Sequence, residues 1–552
     1  MAGSTRTKRQ WRRLVTAVVA VALLGAGLSA PALAESSAQD FDECYSISNL
    51  QVSPVKQNQK SGRHVRLTWD EPECGFAWDK YRVIRTDDYR PQRFIQIVTG
   101  KESAFSGGLK EGRTYTFRVQ VGDEDEFDQE PLEVAVRIPG ASTDAWIVSL
   151  GDSFISGEGG RWAGNADVLD GRSAIDFGFR AYADQQDGEV IPGCHRSRSA
   201  VVNIGTLRSM NLACSGAITN SQILSDTYPW LEDMWKPGID FEDWSESDYL
   251  PLGYDGPAVG QAQLLKDFAR GKNVEMVLLS IGGNNFGFGA IVSACVTSYI
   301  SPLDFDGRTG CRTKPELLEK LNEAGVARTK AQIVVAIGNV VRAMQESGHP
   351  LGTWTLGYQM YPRPLPDSAN MRYPEFEINP LTGSVDYPRQ STGGCGLWDE
   401  DIDWALNTAV PTINNTLLAA GREAVGRYPG LKIVYMDTTN AFRGHELCSK
   451  GVYRVNSSNV EDRKGVKNWR AKDAADKSEW VKEIDLINFS GATVEESFHP
   501  NYWGQMAIRN CWRELHKAKG GLKGGTCTPA RGKNKWGEPN MDFVPSATLT
   551  LG

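Results

Sequence analysis

The run Ala145-Trp146-Ile147-Val148-Ser149-Leu150 ends at Gly151-Asp152-Ser153-Phe154. A mostly apolar run that stops at a glycine reads as a buried strand with a serine at its carboxyl end. In an open α/β sheet that edge is where ligands bind. Far downstream stands Glu496-Ser497-Phe498-His499-Pro500. A hydroxyl at its ordinary pKa is a poor nucleophile, and a nearby histidine held in orientation by an acceptor activates it. Ser153 and His499 therefore point to nucleophilic chemistry on serine.

The nucleophile elbow of α/β-hydrolases requires Gly-x-Ser-x-Gly, and Gly151-Asp152-Ser153-Phe154-Ile155 lacks the second glycine. Four other blocks occur in order. Gly151-Asp152-Ser153 is followed by Gly157-Glu158-Gly159. Then come Asn211-Leu212-Ala213-Cys214-Ser215-Gly216-Ala217 and Ser280-Ile281-Gly282-Gly283-Asn284-Asn285-Phe286. His499-Pro500-Asn501 closes the set.

Over most of residues 144–516 this resembles the SGNH (GDSL) hydrolase family, particularly its secreted, disulfide-bonded bacterial lipase and esterase branch. The resemblance implies a three-layer α/β/α, flavodoxin-like fold with a mostly parallel sheet. It also implies ester hydrolysis through an acyl-enzyme on Ser153, with His499 as base. The oxyanion hole falls to the Ser153 and Gly216 backbone N–H groups and the Asn284 side chain. Gly216 suits that role because the absent Cβ lets a substrate approach the amide. Glu496 occupies the family's usual aspartate position. It either orients His499 or is a solvated loop carboxylate, and some members of this branch use a main-chain carbonyl instead. Asn285 also stands where the family has aspartate, which removes a charge beside the oxyanion hole. The resemblance implies no cofactor.

Two kinds of element are expected to carry these groups. Before Pro139-Gly140, period-2 alternation dominates, as in Val65-Arg66-Leu67-Thr68-Trp69 and Tyr115-Thr116-Phe117-Arg118-Val119. Short alternating strands with turn residues between them predict a small all-β sandwich over 44–139. Leu109-Lys110-Glu111-Gly112-Arg113-Thr114-Tyr115 has the spacing of a tyrosine corner. This segment resembles a fibronectin type III domain, a module that spaces or docks and has no catalytic constellation here.

From 144 to 529 apolar strands alternate with helical patterns, which predicts a sheet covered on both faces. Strands are expected at 274–281, 352–358 and 432–437, and helices at 331–347 and 403–427, the latter kinked or broken at Pro411. Insertions are expected at 221–256, 294–323, 361–404 and 449–492. The first holds Trp230, Trp235 and Trp244, which either line a groove or pack a mini-core. Residues 530–552, rich in Gly, Lys, Asn and Pro, read as a surface or disordered tail.

Residues 1–34 read as a signal peptide: a basic start, an apolar core and Ala32-Leu33-Ala34 as the cleavage site, which predicts a secreted protein. Without its five basic residues, 60 Lys+Arg fall to 55 against 68 Asp+Glu, a net charge near −13. An acidic chain argues against nucleic acid or anionic membrane as the main partner. Ten cysteines behind an export signal predict disulfides. Sequential pairing is expected: Cys44–Cys74, Cys194–Cys214, Cys295–Cys311, Cys395–Cys448 and Cys511–Cys527. No pair has Cys-x-x-Cys spacing, and His445-Glu446 lacks a second histidine at 449, so no metal site is expected. His195 and His445 read as structural hydrogen-bonding groups.

The function expected from these residues is secreted serine ester hydrolysis. Substrates would be small-molecule, lipid or acylated-carbohydrate esters. A carbohydrate esterase acting on a cell-wall or plant polysaccharide is the first alternative, and an inactive adhesion or binding protein the second. Cell-surface or polysaccharide contact would fall to the amino-terminal module.

Overall fold

A computed structural model describes residues 48–552, except 56–63, 71–79, 88–89, 99–101, 106–108, 110–113, 124–125, 128–131, 138–144, 165–178, 185–187, 225–233, 246, 248, 251–253, 255, 257, 301–309, 454–472, 485–494 and 519–520. The expected signal peptide, Cys44, Cys74 and Trp230 lie outside the described residues.

The amino-terminal unit is built from β1 (Ser48–Val55), β2 (His64–Asp70), β3 (Lys80–Asp87), β4 (Arg90–Val98), β5 (Glu102–Phe105), β6 (Thr114–Asp123), β7 (Glu126–Phe127) and β8 (Leu132–Arg137). One antiparallel sheet runs β1-β2-β5; in the other, β3 lies between β4 and β6, and β6 also pairs β7 and β8. Leu67 and Trp69 of β2 share a core with Tyr81 and Val83 of β3 and with Tyr115, Phe117 and Val119 of β6. Period-2 alternation thus turns one face of each strand inward. Tyr115 and Leu109 are buried there, and the corner residues 110–113 lie outside the described residues.

The rest of the chain forms a mostly parallel sheet. Its strands are β9 (Ala145–Gly151), β10 (Arg208–Asn211), β11 (Asn273–Ser280), β12 (Thr355–Gln359), β13 (Ile433–Asp437), β14 (Gly525–Lys533), β15 (Pro539–Pro545) and β16 (Thr550–Leu551). The order is β10-β9-β11-β12-β13-β14-β15, with β16 antiparallel on β13. Every neighbouring pair from β10 to β14 is parallel, and β15 closes the edge antiparallel to β14.

Both faces of these strands are apolar, so both must be covered. On one side Ile147, Met276, Leu278, Val434 and Met436 pack with Met506, Ala507 and Trp512 of the helix Tyr502–Lys517. On the other, Val148, Leu150, Val277, Leu279 and Tyr435 pack with the helices Gln261–Ala269, Glu323–Glu346 and Val410–Arg427. Pro411 follows directly on a π-turn at Ala405–Ala409 within a helical run from Asp399 to Arg427, and that turn accommodates its missing N–H. The expected kink is thus a change of helical register.

The expected tail is corrected. Residues 525–551 supply three sheet strands, β14, β15 and β16. The charge in this segment is buried as a pair: Glu538 and Arg513 are both fully buried and hydrogen-bonded to each other. A Cys511–Cys527 disulfide ties β14 to the helix Tyr502–Lys517. Polar composition reads as surface only while the partner of the charge is unknown. The bridges Cys194–Cys214, Cys295–Cys311 and Cys395–Cys448 are also present.

Asn501 starts the helix that carries this face. Its Oδ1 accepts from the Trp503 and Gly504 amides at 3.0 and 3.2 Å, while Nδ2 donates to the Glu479 carbonyl at 2.8 Å. Asn501→Ala removes a helix cap and leaves buried polar groups without a partner. A loss of about 2 kcal/mol in denaturant unfolding is expected; a loss below about 0.5 kcal/mol would contradict this assignment.

Candidate active site

Ser153 opens a single helical turn, Ser153–Ser156, directly after β9. Gly151 makes that turn possible. Its φ of +132° and a virtual Cβ only 1.9 Å from the Ser280 carbonyl oxygen exclude any side chain. The backbone of Gly151 is gripped on both sides by Gln261: N–H to Oε1 at 2.7 Å, and Nε2 to the carbonyl at 3.0 Å. This fully buried amide ends the strand by imitating a neighbouring strand's hydrogen bonds. Sequence reading missed Gln261, because a glutamine at the start of a helix carries no signature.

Asp152 caps the turn by accepting from the Phe154 amide at 3.2 Å, and it also accepts from the Tyr361 hydroxyl. Tyr361 in turn accepts from the Gly283 amide at 2.9 Å, joining the serine turn to the Gly282-Gly283-Asn284 block.

His499 approaches from the other end of the chain. Its Nε2 lies 2.7 Å from Ser153 Oγ, and its Nδ1 lies 2.9 Å from the Ser497 carbonyl oxygen. With Nδ1 donating to that carbonyl, Nε2 holds the lone pair that accepts the serine hydroxyl. The intervening Phe498 has φ +65°, a left-handed conformation rare for such a side chain. That fold turns the Ser497 carbonyl back onto the imidazole. The strained loop is held by a strap: the Phe498 amide donates to the Lys482 carbonyl at 3.0 Å, the Lys482 amide to His499 at 2.8 Å, and the Asn501 amide to Trp480 at 2.9 Å.

Glu496 is not brought to His499. Its carboxylate is fully buried and accepts from Trp162 Nε1 and the Tyr182 hydroxyl, each at 2.6 Å, with Arg161 Nη1 3.6 Å away. Burial pushes its pKa above the usual carboxylate range. Neither a triad acid nor a solvated loop carboxylate fits this geometry. Glu496 anchors the histidine loop to the segment just after the serine, and the acceptor on Nδ1 is the Ser497 carbonyl.

The expected oxyanion donors converge on the same edge. The Cys214 amide donates to the Gly151 carbonyl at 3.0 Å, which lays the second block along the end of β9. Gly216 takes φ +76°, and Gln222 Nε2 holds its carbonyl at 3.1 Å. No backbone carbonyl of the described residues accepts from the Ser153 or Gly216 amides. Asn284 Nδ2 donates one proton to the Ala217 carbonyl at 2.9 Å, leaving its second N–H for a ligand. Asn285 donates to Thr219 Oγ1 and Gln332 Oε1 at 2.9 and 3.1 Å. A carboxylate has no proton to give to Gln332, so the amide suits its setting.

A second polar cluster, built around the structural hydrogen bond expected of His195, adjoins the pair. Glu158 Oε1 lies 2.8 Å from His195 Nδ1, the Ser215 hydroxyl donates to Oε2, and Oε2 is 3.8 Å from His499 Nε2. Burial opposes the charge on Glu158, yet the charges of His499 and His195 and the Ser215 hydrogen bond hold its pKa below the usual value. Burial likewise opposes the charge on His195, and Glu158 raises its pKa to about 9. Glu495 Oε2 is 3.8 Å from His195 Nδ1. This cluster is a hydrogen-bonded ion pair.

Aromatic rings surround the histidine. Phe154 and Phe288 have centroids 5.1 and 6.2 Å from it, and Phe498 stacks on Phe288 at 6.2 Å. Among the tryptophans of the first insertion, Trp235 is fully buried and Trp244 packs against the same core. His445 stacks on Trp480 at 3.9 Å and contacts the Ser478 carbonyl at 3.0 Å, a structural role. A polar cavity of about 470 Å³ opens elsewhere, beside Arg372, Arg389 and Lys450.

No family model matches the chain, and no curated protein matches it. Solved structures show weak likeness over about a fifth of it. It is similar to a fibronectin type III domain of human collagen XX, at 15% identity over 20% of this chain and 100% of that one, TM-score 0.14. A fibronectin type III domain from human KIAA0970 protein matches at 15% identity over 21% of this chain and 90% of that one, TM-score 0.15. A redesigned β-sandwich protein matches at 13% identity over 18% and 92%, TM-score 0.15.

Burial raises the Asp152 pKa from 3.8 to about 7 against its hydrogen bonds from Tyr361 and Phe154. A raised folded-state value means that stability is fully present below 3.8 and is lost as pH climbs towards 7. Asp152→Asn keeps the cap and cannot ionise. Its stability relative to the parent should therefore grow across that window and level off above it. Parallel thermal midpoints from pH 4 to pH 8 would contradict the assignment.

Proposed function

We propose that the chain is a serine hydrolase of carboxylic esters, of the SGNH type. The observation that carries this reading is the 2.7 Å contact between Ser153 Oγ and His499 Nε2 at the carboxyl edge of a mostly parallel sheet. The ordered sequence blocks that resemble that family support it.

In the reaction, Oγ attacks the ester carbonyl carbon as Nε2 takes the hydroxyl proton. The tetrahedral oxyanion is met by the Ser153 and Gly216 amides and the remaining Asn284 N–H. Collapse breaks the bond to the alcohol oxygen, which receives the proton from Nε2, and leaves an acyl group on Ser153. Water, deprotonated by the same nitrogen, then attacks the acyl carbon; the bond to Oγ breaks, Nε2 returns the proton to Oγ, and the acid leaves. The Ser497 carbonyl accepts from Nδ1 and keeps the ring oriented with Nε2 toward Oγ throughout, a task that a carboxylate performs in the familiar triad.

The apolar rings of Phe154, Phe288 and Phe498 around His499 favour an ester with an apolar acyl group over an acetylated polysaccharide. The amino-terminal sandwich is assigned docking or spacing rather than chemistry, and the chain is read as secreted.

On p-nitrophenyl acyl esters, Ser153→Ala and His499→Ala should each cost at least about 10³-fold in kcat with unchanged circular dichroism. Glu496→Gln should stay within about tenfold of the parent, because that group does not touch His499. A Glu496→Gln loss equal to that of His499→Ala would restore the carboxylate to the reaction.

A further inference from the structure

Among the described residues, the group at His499 Nδ1 is a neutral carbonyl, so no counter-charge from them waits there for the imidazolium that forms during turnover. Among the described residues, a carboxylate stands on the Nε2 side. Glu158 Oε2 is 3.8 Å from Nε2, and Glu158 is 1% exposed. Two contacts fix that carboxylate: His195 Nδ1 at 2.8 Å and the Ser215 hydroxyl. Behind them lie Glu189, which accepts from the His195 amide, Glu495, and Tyr182, whose ring stacks on His195 at 4.7 Å. Glu496 and Arg161 stand beyond Tyr182, and Asp152 is a further acidic neighbour of Glu158.

We infer that Glu158, clamped by His195 and Ser215, is a positioning residue that stabilises protonated His499 from its Nε2 side. This rests on the reading of Ser153 and His499 as the reacting pair. As the Oγ–H bond breaks and the Nε2–H bond forms, a positive charge develops beside a fixed negative one. When Nε2 passes the proton to the leaving alcohol oxygen, that charge disappears. The proton never rests on Glu158, because its oxygens are already committed to His195 and Ser215. The sequence marks both partners, Gly157-Glu158-Gly159 and Cys194-His195-Arg196-Ser197, without revealing that they meet.

The test follows the His499 ring in the full-length protein with ¹³C-labelled histidine, its signal assigned by its loss in His499→Gln. Glu158→Gln should lower the titration midpoint of His499 by about one unit or more. The acid limb of kcat/KM on a p-nitrophenyl ester should move to lower pH with it, and kcat should fall at least about tenfold. His195→Asn, which leaves the Glu158 charge less balanced, should move the His499 midpoint upward. An unchanged midpoint in folded Glu158→Gln overturns the inference. If that variant does not fold, an unchanged or lowered midpoint in His195→Asn overturns it. The ring titration needs no turnover, so a parent protein that hydrolyses no ester sinks the underlying reading separately.

Discussion

A 2.7 Å hydrogen bond between groups 346 residues apart persists only if both ends are fixed independently. The Ser153 end is fixed by strand β9, by Gly151 pressed against Ser280, and by the Gln261 side chain that closes the backbone of Gly151. The His499 end is fixed by Glu496 locked to Trp162 and Tyr182, by the strap at 480–482, and by Asn501 capping the next helix. Trp162 lies only nine positions after Ser153 in the chain, so Glu496 ties the two ends directly together. Misplacing either end by about 1 Å would break the proton path.

The charges around the pair follow from that constraint. Glu496 spends its acceptors on anchoring, so it is lost to the histidine, and the Ser497 carbonyl takes over the orienting role. A carbonyl orients the ring but carries no full charge. Asn285 is likewise neutral, within a network of Thr219 and Gln332. Negative charge is concentrated instead on Glu158, where His195 balances it.

The parts of the fold that repeat a pattern were legible. Apolar runs located β9, β11 and β13 to within about one residue, and cysteines spaced along the chain anticipated the four described bridges. The meeting of Ser153 and His499 was legible because each sits in a distinctive local block. The orienting acceptor was not, because a main-chain carbonyl has no residue type and depends on the left-handed turn at Phe498. Gln261 and Glu158 act through contacts 110 and 37 residues away in the chain, which spacing alone does not reveal. The carboxyl-terminal strands were misread because the partner that neutralises Glu538, Arg513, lies on a helix 25 residues earlier.

The central claim is that His499 activates Ser153. The most direct measurement is the rate at which a fluorophosphonate modifies the intact protein, with the adduct mapped by peptide mass spectrometry. The account predicts a single adduct on Ser153 and a rate at least about 100-fold slower in folded His499→Ala. No adduct on Ser153 in the folded parent, or equal rates in the two proteins, would contradict it.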